Sequence, residues 1–163
     1  MSLDDVISDV IKREGGKKVT NDPTDKGGRT QYGISEKANP AAWADGQVTE
    51  DEARNIYLQK YVVNQNLHTI PPSHKHTQAM LIDWGVHSGP AIAITALQKI
   101  VNVEADGVFG KQTLQALLGV DDRSLTNLLV AARLRMVARV VQRNPAQVKF
   151  LAGWLDRVIS FIS

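Results

Sequence analysis

The segment from Glu14 to Ile34 contains the residues whose types and spacing are best suited to chemistry. Glu14 stands at the end of a predicted helix and is followed by Gly15 and Gly16. The helix dipole is negative at that end, so it opposes a carboxylate and favours the protonated form. A protonated glutamate beside glycines, which let a substrate approach the backbone, has the properties of a general acid.

The loop that follows Glu14 could supply a second functional group. Asp22 and Asp25 provide carboxylates, and Thr30 provides a hydroxyl. Glycoside hydrolysis requires an acid for the leaving oxygen and a base or stabiliser on the opposite face of the sugar. A hairpin placed after the acid-bearing helix could deliver that second group. The same aspartates also favour turns through local hydrogen bonds, so a purely turn-forming role remains an alternative at this point.

The spacing of apolar residues predicts a mainly α protein that positions this segment. Leu3 to Ile11 follow the i, i+3, i+4 pattern, with Ser2 as the expected N-cap. Residues 17–35 predict loop and short hairpin strands, and Thr49 to Glu52 form a capping box before another helix. Further helices are expected at about 74–87, 90–101, 110–118, 124–143 and 150–162.

Composition excludes several kinds of chemistry. The chain of 163 residues contains no cysteine, which excludes disulfides, thiolate metal ligands and thiol nucleophiles. The histidines at positions 68, 74, 76 and 87 lack a zinc-peptidase pattern, so we interpret them as solvated loop residues rather than metal ligands. We therefore expect no metal site, and the sequence implies no other cofactor.

Positive charge is concentrated at the C-terminal end. Residues 124–163 contain six Lys and Arg residues against Asp156 alone, whereas residues 1–123 contain 13 against 16 acidic residues. Arg135, Arg139 and Arg143 form an outer stripe on one predicted helix. The stripe could attract the chain to an anionic envelope surface, or it could be a solvated helix face. No recognised motif supports nucleic-acid binding, and we expect no nucleic-acid partner.

Aromatic residues could stack on sugar rings. Trp84, Trp154 and Tyr57 lie in apolar helical patterns, which favours a place in the core. Tyr32 lies inside the hairpin segment and is the better candidate for a residue of a binding cleft.

The run Arg13-Glu14-Gly15-Gly16 is followed by Asn21-Asp22-Pro23-x-Asp25-x-Gly27-Gly28-x-Thr30-x-x-Gly33-Ile34. Two further motifs are Ala53-x-x-Ile56-Tyr57-x-x-x-Tyr61 and Asp83-x-x-Val86-x-Ser88-Gly89-Pro90. Together these motifs resemble the signature of the family-108 glycoside hydrolases, phage and bacterial N-acetylmuramidases with a lysozyme-like, mainly helical fold. Leu97-Gln98 and Val103-x-x-Asp106-Gly107-x-x-Gly110-x-x-Thr113-x-x-Ala116-Leu117 are similar to a peptidoglycan-binding segment.

This resemblance implies a fold and a domain organisation. It implies one lysozyme-like domain over residues 1–163, with a small β-hairpin (17–35) after the first helix. Residues 1–90 would form the catalytic part, and residues 91–163 a helical, peptidoglycan-binding-like segment packed on it. We expect a monomer.

The resemblance also implies an activity and its residues. Glu14 matches the catalytic acid, and Asp25 and Thr30 match positions that would orient water or stabilise the sugar cation. Asp22 competes with Asp25 as the second carboxylate, and Asp22, Gln31 and Tyr32 are the expected substrate-binding residues. The chain would hydrolyse the β-1,4 bond between N-acetylmuramic acid and N-acetylglucosamine and lyse cells as an endolysin. A lytic transglycosylase and a noncatalytic peptidoglycan-binding module are the alternatives.

The N-terminus carries three aspartates and no basic residue before Lys12, which is unlike a secretory signal. We therefore expect synthesis in the host cytoplasm and passage to the wall in the periplasm through a separate carrier such as a holin.

Overall fold

The computed structural model describes residues 3–21 and 28–162. The described chain is mainly α with a short hairpin after the first helix, as predicted. It divides into two compact units, residues 1–64 and 65–163. The expected N-cap Ser2 lies outside the described residues. No helix within the described residues is long and apolar enough to cross a membrane.

The first unit is built around helices α1 (Leu3–Arg13) and α2 (Glu50–Leu58), which pack against each other. The apolar face of α1 is buried, as the i, i+3, i+4 pattern predicts. The predicted capping box begins α2: the Thr49 hydroxyl accepts from the Glu52 amide, and the Glu52 carboxylate accepts from the Thr49 amide. The helix continues into one π-helical turn, Gln59–Val63.

Two short strands form the hairpin of the first unit. Strand β1 (Thr30–Gln31) pairs antiparallel with β2 (Ile34–Ser35), with Gln31 opposite Ile34. A further bridge joins Thr20 to Thr30 through two backbone hydrogen bonds of 2.9 and 2.8 Å. The regular strands are therefore shorter than the predicted segment 17–35, and the rest of its described residues form the bridge at Thr20, turns and irregular backbone.

The second unit contains helices α3 (Lys75–Ser88), α4 (Pro90–Ile100), α5 (Lys111–Leu118), α6 (Asp122–Arg143) and α7 (Leu151–Ile159). Helix α3 packs on both α4 and α6, and its residues from Ala79 to Gly85 are all buried. Helix α6 begins two residues before the predicted Ser124, because Asp121 is the N-cap and accepts from the Ser124 amide at 2.9 Å.

Asp122 fastens the start of α6 to the start of α3. Its carboxylate accepts hydrogen bonds from the amides of His76 and Thr77 and contacts His76 Nδ1 at 2.7 Å. These bonds satisfy amides that the first turn of α3 cannot pair internally. The interpretation of the histidines as solvated loop residues is wrong for His74, which is 7% exposed with Nε2 2.9 Å from the Val120 carbonyl oxygen. It is also wrong for His76 and His87, which lie in α3 and are partly buried, whereas His68 is exposed.

The motif that resembles a peptidoglycan-binding segment is built around a buried glutamine. Gln98 is 1% exposed, and its Oε1 accepts from the Gly107 amide at 2.8 Å. Its Nε2 donates to Asp106, Val108 and Thr113 at 2.7–3.2 Å. Because both ends of the Gln98 amide are bonded, this part of the motif secures the loop between α4 and α5.

Candidate active site

Glu14 lies at the C-terminal end of α1, as the sequence predicts. Its amide donates to the Val10 carbonyl at 2.9 Å, and the Gly16 amide donates back to the Ile11 carbonyl at 3.1 Å. Gly15 and Gly16 have φ angles of +106° and +56°, a conformation that glycine adopts at little cost. This cap ends the helix at Arg13, directly before Glu14, whose side chain is half-buried.

The hairpin is hydrogen-bonded to the residues that directly follow Glu14 and Gly15. The Tyr32 amide donates to the Gly16 carbonyl at 2.9 Å, and Gln31 Nε2 donates to the Lys17 carbonyl at 3.1 Å. Gln31 Oε1 accepts from the Val48 amide at 2.9 Å. The Gln31 side chain therefore links the two chain segments on either side of the hairpin.

The turn of the hairpin contacts the Glu14 side chain. Tyr32 and Gly33 form the two-residue connection and both have positive φ, +52° and +75°, the pattern of a type I′ turn. A Cβ placed on Gly33 would overlap the Tyr57 hydroxyl and lie 2.8 Å from the Glu14 Cβ. The absence of a side chain at Gly33 is what allows the hairpin to lie against Glu14.

Tyr57 holds the same turn from α2. Its hydroxyl donates to the Tyr32 carbonyl at 3.0 Å, and its ring stacks on Tyr61 with 5.7 Å between centroids. Tyr57 is 3% exposed, so its predicted place in the core is confirmed. The sequence did not reveal that its hydroxyl secures the turn beside Glu14.

The opposite end of the hairpin is fixed by an ion pair. Arg29 Nη2 and Nε donate to the two carboxylate oxygens of Glu36 at 2.7 and 2.9 Å, and the guanidinium lies 4.8 Å from the centre of the Trp43 ring. Trp43 Nε1 donates to the Ile34 carbonyl at 3.2 Å. The hydrogen bond from Arg29 lowers the pKa of Glu36, so Glu36 is a poor candidate for a protonated acid.

The described residues include four of the six predicted site residues. Glu14 is brought to the hairpin turn, and Thr30 lies in β1 with a partly exposed side chain. Gln31 and Tyr32 are 6% and 7% exposed, so here they support the hairpin, and sugar contact through them stays a prediction. Asp22 and Asp25 lie outside the described residues.

No metal centre is formed within residues 3–21 and 28–162, where no three His, Cys, Asp or Glu side chains are grouped to hold an ion. The side chains of the described site supply a carboxyl group at Glu14 and hydroxyls at Thr30 and Tyr57.

Gly33→Ala is expected to reduce both stability and activity. The new methyl would meet the Tyr57 hydroxyl and Glu14, and the residue would have to keep a φ of +75°. We expect a loss of about 2–3 kcal/mol in the free energy of unfolding, measured by urea denaturation. Gly46→Ala is the matched control: Gly46 has a φ of +89°, but nothing lies within 4 Å of its added Cβ. A loss as small as that of Gly46→Ala, about 1 kcal/mol, would contradict the close packing at Gly33.

Tyr57→Phe is expected to lower the free energy of unfolding by about 1 kcal/mol and to slow cleavage several-fold, because the Tyr32 carbonyl loses a hydrogen bond. Urea denaturation and initial rates on purified peptidoglycan measure the two effects. Tyr61→Phe removes a hydroxyl for which the described structure shows no hydrogen bond, and it should change neither quantity measurably. Equal effects of the two substitutions would contradict a specific role for the Tyr57 hydroxyl.

Comparisons with known proteins found two family matches and a similar solved structure. Residues 7–89 match the family described as Glycosyl hydrolase 108, and residues 92–159 match the one described as Predicted Peptidoglycan domain. The chain is similar to the solved structure of SagA from Brucella abortus, with 31% sequence identity and a TM-score of 0.73. That similarity covers 97% of this chain and 90% of the other. No curated protein sequence matches. The mainly α, lysozyme-like fold class predicted from the sequence is confirmed.

Proposed function

We propose that this chain, which belongs to the glycosyl hydrolase 108 family, hydrolyses the β-1,4 bond between N-acetylmuramic acid and N-acetylglucosamine in peptidoglycan. The family match identifies it as a glycoside hydrolase that acts on peptidoglycan, and the choice of bond is our inference. The observation that carries the proposal is the placement of Glu14 between a glycine-capped helix end and the hairpin turn at Gly33.

In the proposed reaction Glu14 donates its proton to the glycosidic oxygen as the bond to the anomeric carbon breaks. Positive charge develops on the sugar ring as this bond breaks. A water molecule then adds to the anomeric carbon and gives its proton either to the second carboxylate, with Glu14 regaining a proton from solvent, or to the ionised Glu14 itself. Asp25, together with Thr30, would orient that water or stabilise the charge, with Asp22 as the competing carboxylate. Asp22, Gln31 and Tyr32 remain the proposed substrate-binding residues.

The packing around Glu14 supports its role through positioning. A general acid acts only when its proton lies within hydrogen-bond reach of the leaving oxygen. The Gly33 backbone lies against the Glu14 stem, and the Tyr57 hydroxyl secures that turn, so both would restrict the side chain. No cofactor enters the proposed mechanism.

The match of residues 92–159 to a predicted peptidoglycan domain supports a binding role for the C-terminal helices. Residues 92–159 would hold the enzyme on the polymer while the first part of the chain cuts it, and the protein would act as a monomer. Lysis of the host after release to the wall, with a holin as the carrier, extends the proposal to an endolysin.

Mass spectrometry of fragments released from purified peptidoglycan tests the proposal. Cleavage in water enriched in ¹⁸O should yield muramic acid reducing ends that carry the heavy oxygen. A 1,6-anhydro product, lighter by one water and free of label, would identify a lytic transglycosylase instead. Labelled N-acetylglucosamine ends would place the cut at the other glycosidic bond. If no fragments were released, the chain would be a noncatalytic peptidoglycan-binding module.

Substitutions in the hairpin test the choice of the second functional group. Asp25→Asn and Thr30→Ala should each lower turnover more than Asp22→Asn does, because the first two would act at the reacting carbon. Initial rates of peptidoglycan solubilisation, with circular dichroism to verify folding, measure the effect. A larger loss for Asp22→Asn would make Asp22 the second carboxylate and leave the reaction class unchanged.

A further inference from the structure

A surface groove lies between α4 and α6 in the second unit. Its volume is about 540 Å³, within the range of small-molecule binding sites, and it is open to solvent. Three alanines line it, Ala91 and Ala96 from α4 and Ala132 from α6. Their small side chains leave room between the helices, so the groove presents methyl groups and other apolar surface to a ligand.

The edges of this groove are basic. Lys99 from α4 and Arg135 and Arg139 from α6 line it, and all three are exposed. Arg135 and Arg139 are one helical turn apart and therefore share a face of α6. None of the described residues that line the groove is acidic, so its positive charge is not balanced within the groove.

The basic residues of the C-terminal end fall into two groups, those that pair with a buried carboxylate and those that are exposed. Arg133 and Arg157 contact the buried carboxylate of Asp83 and contribute little to the surface. Arg135 and Arg139 line the groove, whereas Arg143 lies on the same helix but does not line it. The stripe of three arginines expected from the sequence is therefore not uniform, since two of its members border an apolar channel.

We propose that this groove binds a short acidic peptide with small apolar side chains, the chemistry of the peptidoglycan stem peptide. The inference rests on the proposed action on peptidoglycan. Such a peptide presents free carboxylates to Lys99, Arg135 and Arg139 and alanine methyl groups to the apolar residues that line the groove. The groove also falls largely within residues 92–159, the segment that matches the predicted peptidoglycan domain.

A single acyl chain matches the groove less well than an acidic peptide does. It would contact the apolar residues of the groove but offer one anionic end to cations that come from two helices, α4 and α6. A peptide with several carboxylates matches that distribution of charge. Binding there would hold the enzyme on the uncut wall independently of cleavage, and it would weaken as salt screens the exposed charges.

Calorimetric titration with the N-acetylated, glycan-free peptide L-Ala-γ-D-Glu-meso-diaminopimelate-D-Ala tests this site on the full chain. Arg135→Gln with Arg139→Gln should weaken binding about tenfold at low salt, with a smaller difference at high salt. Arg123→Gln with Arg143→Gln is the matched control, because it removes the same charge from the same helix outside the groove lining. Ala96→Leu fills the groove without changing charge and should weaken binding similarly.

Several outcomes overturn the inference. No binding by the folded wild-type chain, equal loss in the two double variants, or no loss in Ala96→Leu would each exclude the groove as the peptide site. Binding to vesicles of phosphatidylglycerol, without binding to the peptide, would identify a membrane ligand instead. The peptide contains no glycosidic bond, so this result is independent of cleavage. The titration can show that the groove does not bind the peptide even if the chain hydrolyses peptidoglycan. Fragment analysis can disprove hydrolysis even if the groove binds the peptide.

Discussion

Glu14→Gln is expected to lower the rate of peptidoglycan cleavage by about 10²–10⁴-fold, the usual loss when a general acid is removed. Glutamine has nearly the same shape, so it can occupy the space beside Gly33, but it cannot give a proton to the glycosidic oxygen. The midpoint of thermal unfolding should therefore change little. Rates of reducing-end release from purified peptidoglycan, measured together with thermal unfolding, separate the two effects.

Glu50→Gln is the control for this substitution. Glu50 is exposed at the start of α2, and its contact is a 3.4 Å ion pair with Arg54. Its replacement should leave the cleavage rate close to that of the wild type, because exposed pairs contribute little. Retention of more than about a tenth of the wild-type rate in Glu14→Gln would reject Glu14 as the acid. The substitution does not distinguish hydrolysis from transglycosylation, which the labelled fragments decide.

The elements that were predicted well are those determined by residues close together in sequence. The apolar face of α1, the glycines after Glu14 and the capping box at Thr49 are local signals, and the structure contains all three. The start of α6 was placed two residues late, because apolar spacing alone does not show which residue caps the helix. The hydrogen bond between them selects Asp121.

The contacts that define the candidate site could not be predicted in this way. Glu14, Gly33 and Tyr57 meet only in the folded chain, and no periodic pattern links residues so far apart. The pattern around Tyr57 correctly indicated a buried ring, but burial does not show which carbonyl its hydroxyl contacts. His74 was misjudged for the same reason, since its partner is the carbonyl of Val120, far along the chain.

Asp83 pairs with two arginines of the second unit that the sequence analysis counted among the basic C-terminal residues. It is 2% exposed within α3, and its carboxylate accepts from Arg133 Nη1 at 2.8 Å and from Arg157 Nε at 3.1 Å. Arg133 is itself 1% exposed. In the sequence both arginines counted toward a basic C-terminal end, whereas in the structure they balance a buried carboxylate.

Asp83→Asn is accordingly expected to lower the free energy of unfolding by about 3–5 kcal/mol, measured by urea denaturation of the full chain. Asparagine keeps the volume of the side chain but removes the negative charge that offsets two arginines, one of them fully buried. Asp156→Asn on α7 is the matched control: Asp156 is exposed, and its replacement should change stability by less than about 0.5 kcal/mol. Combining Asp83→Asn with Arg133→Met should cost less than the sum of the two single changes, because both remove the same interaction.

The pH dependence of stability gives this prediction a second, independent test. Burial opposes the charged form of Asp83, but the hydrogen bond from Arg157 and the charges of both arginines outweigh it, so the pKa is lowered. A carboxyl whose pKa is lower in the folded state stabilises the fold fully above its unfolded pKa of about 4 and progressively less below it. The stability difference between wild type and Asp83→Asn should therefore be largest near neutral pH and shrink as the pH falls below about 4. A difference that stayed constant down to pH 2 would show that lost packing, rather than the charge of Asp83, causes the destabilisation.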